Sequence, residues 1–177
     1  MVEVAMKAHG YKLKAIGKTF LYPAGIYSKK HKSLRDIPKN SLIAIPNDPS
    51  NESRALLLLE KASLVNFKKN SERSIQTITS NPKKIRFREL DAAQLTRVLP
   101  DVDAAVINTN YAIPAGLNPE NDAIFLENKN SPYANVIAVK LGNKKSKNLA
   151  LLVESLNSPE VKAKAKELFG DSAIPAW

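Results

Sequence analysis

The stretch AIPNDPSNESRALLLL, residues 44–59, most constrains the fold of this 177-residue chain, because an apolar strand runs through a polar turn straight into an apolar helix. Asn47, Asp48, Ser50 and Asn51 are all capable N-caps, which sets the helix start near Ser50 or Asn51 and carries it to about Leu64. Arg54 then falls in or next to the first turn, where a cation opposes the helix macrodipole by roughly 0.3–1 kcal/mol. A guanidinium beside unsatisfied backbone N–H groups is, however, a good seat for a carboxylate or phosphate. Two plainer fates stay open for Arg54, extension to solvent or pairing with Glu52.

The same reasoning extends along the chain. Leu13–Gly17 and Ala24–Ser28 read as short strands joined through a turn at Phe20-Leu21-Tyr22-Pro23, and Ser33-Leu34-Arg35-Asp36 as the cap of a short helix. Leu42–Ile45, Ile85–Leu90 and Asp103–Ile107 read as strands, and Ala92–Leu99, Lys147–Leu156 and Pro159–Phe169 as helices. Strands and helices alternate, which predicts an α/β fold with a mainly parallel sheet and ligands at the carboxyl ends of its strands. The first ten residues read as the last turns of an amphipathic helix closed by Gly10.

Charge and composition exclude several functions. Twenty-seven Lys and Arg against seventeen Asp and Glu give a net charge of +10, which raises the question of nucleic acid. The basic residues are scattered in pairs such as Lys29-Lys30, Lys68-Lys69, Lys83-Lys84 and Lys144-Lys145, not gathered in one arm or one helix face, and only 6% of residues are aromatic, which leaves few stacking platforms and argues against a nucleic-acid role. Cysteine is absent, which removes thiol chemistry and Cys-ligated zinc. The two histidines, His9 and His31, have no carboxylate at metal-ligand spacing, and no Gly-rich phosphate loop or Gly-x-Ser-x-Gly occurs. With no assembled nucleophile and base, an enzyme is the least favoured class, and no cofactor or metal is expected. No run of 18 apolar residues is present, and the first residues lack the basic-then-apolar pattern of a secretory leader.

Two polar residues sit on apolar strands. Asn108 ends Ala104-Ala105-Val106-Ile107, and Asn135 interrupts Tyr133–Val139. Taken singly, Asn108 reads as a cap for the following helix and Asn135 as a loop anchor. Taken with Arg54, they supply two amides and one guanidinium, the equipment for a zwitterionic amino acid whose carboxylate meets Arg54 and whose ammonium meets an amide oxygen.

The segments Gly10–Leu13, Gly17–Pro23, Ile45–Asn51, Val106–Ala112 and Ser131–Asn135 together closely resemble the NlpA/MetQ family of methionine-binding lipoproteins, and the resemblance runs from end to end. It implies a periplasmic-binding-protein-like two-lobe α/β fold that closes on L-methionine, serving the permease and ATPase of a methionine-import ABC transporter in the periplasm or cell envelope. It further implies that Arg54 holds the methionine carboxylate, Asn108 and Asn135 its polar head, and that Asn51 shapes the turn before Arg54. The family usually carries Gly directly before that Arg, where this chain has Ser53.

Family members also begin with a leader, a lipid-bearing Cys, a first βαβ unit and an aromatic segment that packs on the thioether; none of these precedes Met1. The expected layout is one complete lobe over 23–134, and the remainder of a second lobe, lacking its N-terminal βαβ part, over 1–22 and 135–177. Methionine binding that is weak or absent, a homodimer or domain swap, and an Arg54→Ala variant that folds as well as the parent or slightly better but loses any methionine binding are the corresponding expectations. Rival readings are a related amino-acid or methionine-dipeptide binding protein, or a regulatory or scaffold module of the same fold.

Overall fold

The computed structural model describes residue 6, residues 9–142 and residues 147–177, so the expected helix before Gly10 lies mostly outside the described residues. The chain divides into two compact units. One is Pro23–Glu127, and the other joins the residues up to Tyr22 with Asn128–Trp177. The second crossing of the chain thus falls after Glu127, where the sequence reading placed it after Ala134.

The Pro23–Glu127 unit is built on five strands: β1 (Ala24–Tyr27), β2 (Leu42–Pro46), β3 (Arg86–Leu90), β4 (Ala104–Asn108) and β5 (Ala123–Leu126), in the order β3-β2-β4-β1-β5. β2 runs parallel to both β3 and β4, with Leu42 opposite Arg86 and Ile43 opposite Ala104. β1 runs antiparallel to β4 and β5, pairing Ala24 with Asn108 and Gly25 with Leu126. The sheet is therefore mixed, not mainly parallel. No helix separates β1 from β2: Ser33–Asp36 forms only a turn, closed by the Asp36 N–H on the Ser33 carbonyl and by the Ser33 hydroxyl on Asp36 Oδ2.

Alternate side chains of these strands fill two cores. Ile26, Ile43, Ile45, Ala104 and Val106 meet Leu56, Leu58 and Leu59 of helix α1 (Pro49–Lys61) on one face. Tyr27, Ala44, Ala105 and Ile107 meet Leu95, Leu99 and Val102 on the other. Burial on both faces explains why β2 and β4 read as continuous apolar runs. Gly25 is required here, because a Cβ at that position would lie 2.7 Å from the ring of buried Tyr27.

Helix α1 has clear boundaries. Asp48 caps it, accepting from the Asn51 N–H, and Pro49 supplies a pre-set φ at the first helical position. At the other end Ser63 takes a left-handed φ of 59°, the Leu64 N–H bonds the Leu59 carbonyl, and the Ser63 N–H bonds that of Glu60. This Schellman closure stops the helix at Lys61, short of the expected Leu64. The loop 28–32 is tied down by Asp103, whose Oδ2 accepts from the Leu42 N–H at 2.7 Å while Oδ1 faces His31 Nε2 at 3.2 Å. Burial pushes the Asp103 carboxyl up, but Leu42, His31 and the Lys30 charge together hold it below the ordinary carboxylate range.

In the other unit, strands Leu13–Lys18 and Val136–Lys140 pair antiparallel with a bulge between Ala15 and Gly17. A Cβ at Gly17 would meet Val153 at 2.8 Å, so glycine is what admits helix Lys147–Leu156 close to the strand. Phe20-Leu21, expected as part of a turn, pairs instead with Ile174-Pro175. Phe20 stacks edge-on against Trp177, and Tyr22 against Phe169 of helix Pro159–Phe169. The exposed large apolar side chains among the described residues, Tyr11, Leu141, Leu151, Leu152, Leu168 and Trp177, all belong to this unit. No helix among the described residues is long and apolar enough to cross a membrane.

Candidate ligand site

Parallel pairing brings the carboxyl ends of β2 and β4 side by side, and antiparallel pairing brings the start of β1 to the same edge of the sheet. The turn after β2 contributes Asp48 and helix α1 contributes Asn51 and Arg54; β4 contributes Asn108, and Glu127 directly follows β5. All five belong to the Pro23–Glu127 unit.

Arg54 is in the second turn of α1, counting from Pro49, which largely relieves the macrodipole conflict expected for a first-turn cation. It is only 4% exposed and its guanidinium pairs with Glu127, itself 3% exposed on its side chain. Nε lies 3.2 Å from both carboxylate oxygens and Nη2 2.5 Å from Oε2. Arg54 does not extend to solvent, and its guanidinium forms a buried ion pair with Glu127. Glu127 Oε2 also accepts from the Ala24 N–H at 3.0 Å, and the Glu127 N–H returns a bond to the Ala24 carbonyl. The pair thus anchors a charged edge of Arg54 to the backbone of β1. A ligand carboxylate on Arg54 must approach outside the Nε and Nη2 edge that Glu127 occupies.

Asn108 has the extended backbone of a cap, φ −74° and ψ 143°, yet its side chain makes no capping bond to the helix that follows. Its Nδ2 donates instead to Asn51 Oδ1 at 2.9 Å. Asn51 Nδ2 donates in turn to Asp48 Oδ2, also at 2.9 Å, and Asp48 Oδ1 receives the Asn51 backbone N–H. Beside this string the buried Thr109 hydroxyl donates to the Pro23 carbonyl. Burial first, then the Glu89 carboxylate, holds the Glu52 carboxyl above its ordinary range, with Glu72 and Asp48 adding to the rise and a backbone N–H bond at Ile75 opposing it.

Asn135 lies in the other unit, just before the strand Val136–Lys140, and is exposed. It does anchor a loop, through its backbone: its N–H bonds the Phe20 carbonyl and its carbonyl receives the Thr19 N–H at 2.8 Å. Of the residues singled out in the sequence, Arg54, Asn51 and Asn108 therefore share one edge of one unit. The sequence marks Asp48 only as a cap and does not single out Glu127. The signal for Glu127 is a lone carboxylate ending the apolar run Ala123-Ile124-Phe125-Leu126. Among the described residues no cluster of His, Asp and Glu is placed to hold a metal.

Known proteins share this architecture. A solved structure of an ABC transporter periplasmic substrate-binding protein from Coxiella burnetii superposes with a TM-score of 0.95 at 54% identity, over 99% of this chain and 74% of that one. A nutrient binding protein from Burkholderia cenocepacia, solved bound to methionine, gives a TM-score of 0.95 at 48% identity, over 99% of this chain and 75% of that one. The fold is that of the periplasmic substrate-binding proteins. D-methionine-binding lipoprotein MetQ of Escherichia coli (strain K12) is 43% identical over 176 residues, 97% of this chain and 65% of its own length. With the NlpA lipoprotein model matching residues 2–177, the chain belongs to the NlpA lipoprotein family. It spans 64–65% of the length of the first curated relatives it matches.

Proposed function

We propose that this chain is a methionine-recognising portion of the substrate-binding component of an ABC importer in the cell envelope. Arg54 takes the methionine carboxylate and Asn108 the ammonium, with Asn51 holding Asn108. A contribution of Asn135 to the polar head rests on the family resemblance. The observation that carries the reading is the gathering of Arg54, Asn51 and Asn108 at the carboxyl ends of β2 and β4, where α/β sheets place their ligands. A relative that carries methionine in its structure supports the choice of ligand. The importer's permease and ATPase are the proposed partners, and the exposed apolar side chains of the other unit support self-association into a homodimer or swapped dimer.

A thermal-shift panel of the twenty amino acids at equal concentration L tests the reading, since a ligand that binds only the folded state stabilises it by RT ln(1 + L/Kd) and so raises the melting temperature more the tighter it binds. Methionine is expected to give the largest rise. A larger rise with another amino acid or with a methionine dipeptide would favour the related binding protein, and a flat panel would favour a regulatory or scaffold module.

A further inference from the structure

The structure assigns to Asp48 and Asn51 a positioning role that fixes which end of the Asn108 amide meets a ligand, so that the site selects a donor such as an ammonium over an acceptor such as a keto oxygen. This rests on the amino-acid reading above and extends it to the determinant of head-group polarity.

An asparagine amide has a donor end and an acceptor end of nearly equal size, so a lone amide does not by itself distinguish ligand donors from acceptors. Here the ambiguity is removed at one end of the string. A carboxylate only accepts, and Asp48 uses both oxygens: Oδ1 for the Asn51 backbone N–H at 3.0 Å and Oδ2 for Asn51 Nδ2 at 2.9 Å. Asn51 must therefore turn its Nδ2 toward Asp48, which leaves Oδ1 for Asn108. Asn108 must then donate Nδ2 to Asn51, at 2.9 Å, and turn its own Oδ1 away from Asn51. Among the described residues no hydrogen bond is made to that oxygen. The helix cap thus sets the polarity of two amides in series, and a helix-capping aspartate acquires a second task at a distance from the ligand.

The substitution Asp48→Asn reverses the string with almost no change of volume. The backbone N–H of Asn51 still requires an acceptor at the capping position, so the new amide keeps its oxygen there and places its NH2 where Oδ2 was. Asn51 must then present Oδ1 to residue 48 and Nδ2 to Asn108, and Asn108 must accept through Oδ1 and present Nδ2 outward. Asn is as good a helix cap as Asp, so the fold is retained.

Two measurements on the full chain test this. In the ligand-free protein, NMR couplings across hydrogen bonds are expected to link Asn108 Nδ2 to the Asn51 side-chain carbonyl carbon. In Asp48→Asn the coupling should reverse, linking Asn51 Nδ2 to the Asn108 side-chain carbonyl carbon. NMR titration with L-methionine and with 4-methylthio-2-oxobutanoate, which carries a keto oxygen in place of the ammonium, then reads selectivity. The parent is expected to favour methionine, and Asp48→Asn to lower the methionine-to-keto-acid affinity ratio by about tenfold or more, the scale of one hydrogen bond to a charged group. An unreversed coupling in Asp48→Asn, or a reversed coupling with an unchanged ratio, would overturn the inference. A reversed coupling in a chain that binds neither ligand would establish the polarity string and overturn the amino-acid reading instead.

Discussion

Replacing Arg54 by alanine is expected to destabilise the Pro23–Glu127 unit by about 3–5 kcal/mol, the usual penalty for removing one partner of a buried ion pair. The sequence alone suggests the opposite, since a cation near a helix start is mildly unfavourable and its loss should be harmless. Burial changes the sign. Arg54 is 4% exposed, and deleting it strips a guanidinium from a carboxylate that is equally buried and that also holds the Ala24 N–H. The double variant Arg54→Met with Glu127→Gln removes both charges, keeps an acceptor for Ala24 and fills the volume, so it should recover most of the loss. Urea denaturation of the single and double variants measures this directly. Equal stability of Arg54→Ala and the parent would show that the pair contributes nothing to the fold.

Ile45→Ala is expected to cost about 2–5 kcal/mol, the range for truncating a fully buried aliphatic side chain in a core that relaxes only in part. Ile45 has no exposed surface and packs against the apolar face of α1, one residue before the strand end that turns into the Asp48 cap. The lost core volume therefore lies in the strand that leads into the Asp48 cap of α1. Denaturant midpoints of the variant should fall without a change in slope, as befits lost stability with an intact unfolding transition. A shift near zero would mean that the strand feeding the site is not part of the cooperative core.

The parts of the molecule legible in the sequence are those fixed by local chemistry. Lys147–Leu156 and Pro159–Phe169 form at the expected bounds, and the 3.6-residue apolar spacing together with the Ser158 cap and the proline after it explain why. The strand, cap and helix of residues 42–61 follow from an apolar run, an aspartate and Pro49 in succession. What stayed hidden depends on pairing between distant segments. The antiparallel placement of β1 is not readable because parallel and antiparallel strands share the same apolar signature when both faces are covered, and the short, half-buried β5 does not stand out in the sequence as a strand. Glu127 stands 73 positions from Arg54, and although a lone carboxylate ends the apolar run before it, nothing local names Arg54 as its partner. Asn108 looked like a cap because extended backbone before a helix is where caps occur, and only the register of β2 against β4 shows that Asn51 claims its amide first.

The most direct test of the account is an NMR titration of the full chain with L-methionine, following the Arg54 Nε–H and the Asn108 side-chain amide together. Both signals are expected to move, saturably and with one dissociation constant, because carboxylate and ammonium belong to one ligand and the two side chains to one site. If neither signal moves at the highest soluble methionine concentration, or if the shifts cluster elsewhere in the chain, the assignment of Arg54 and Asn108 to a methionine head group is wrong.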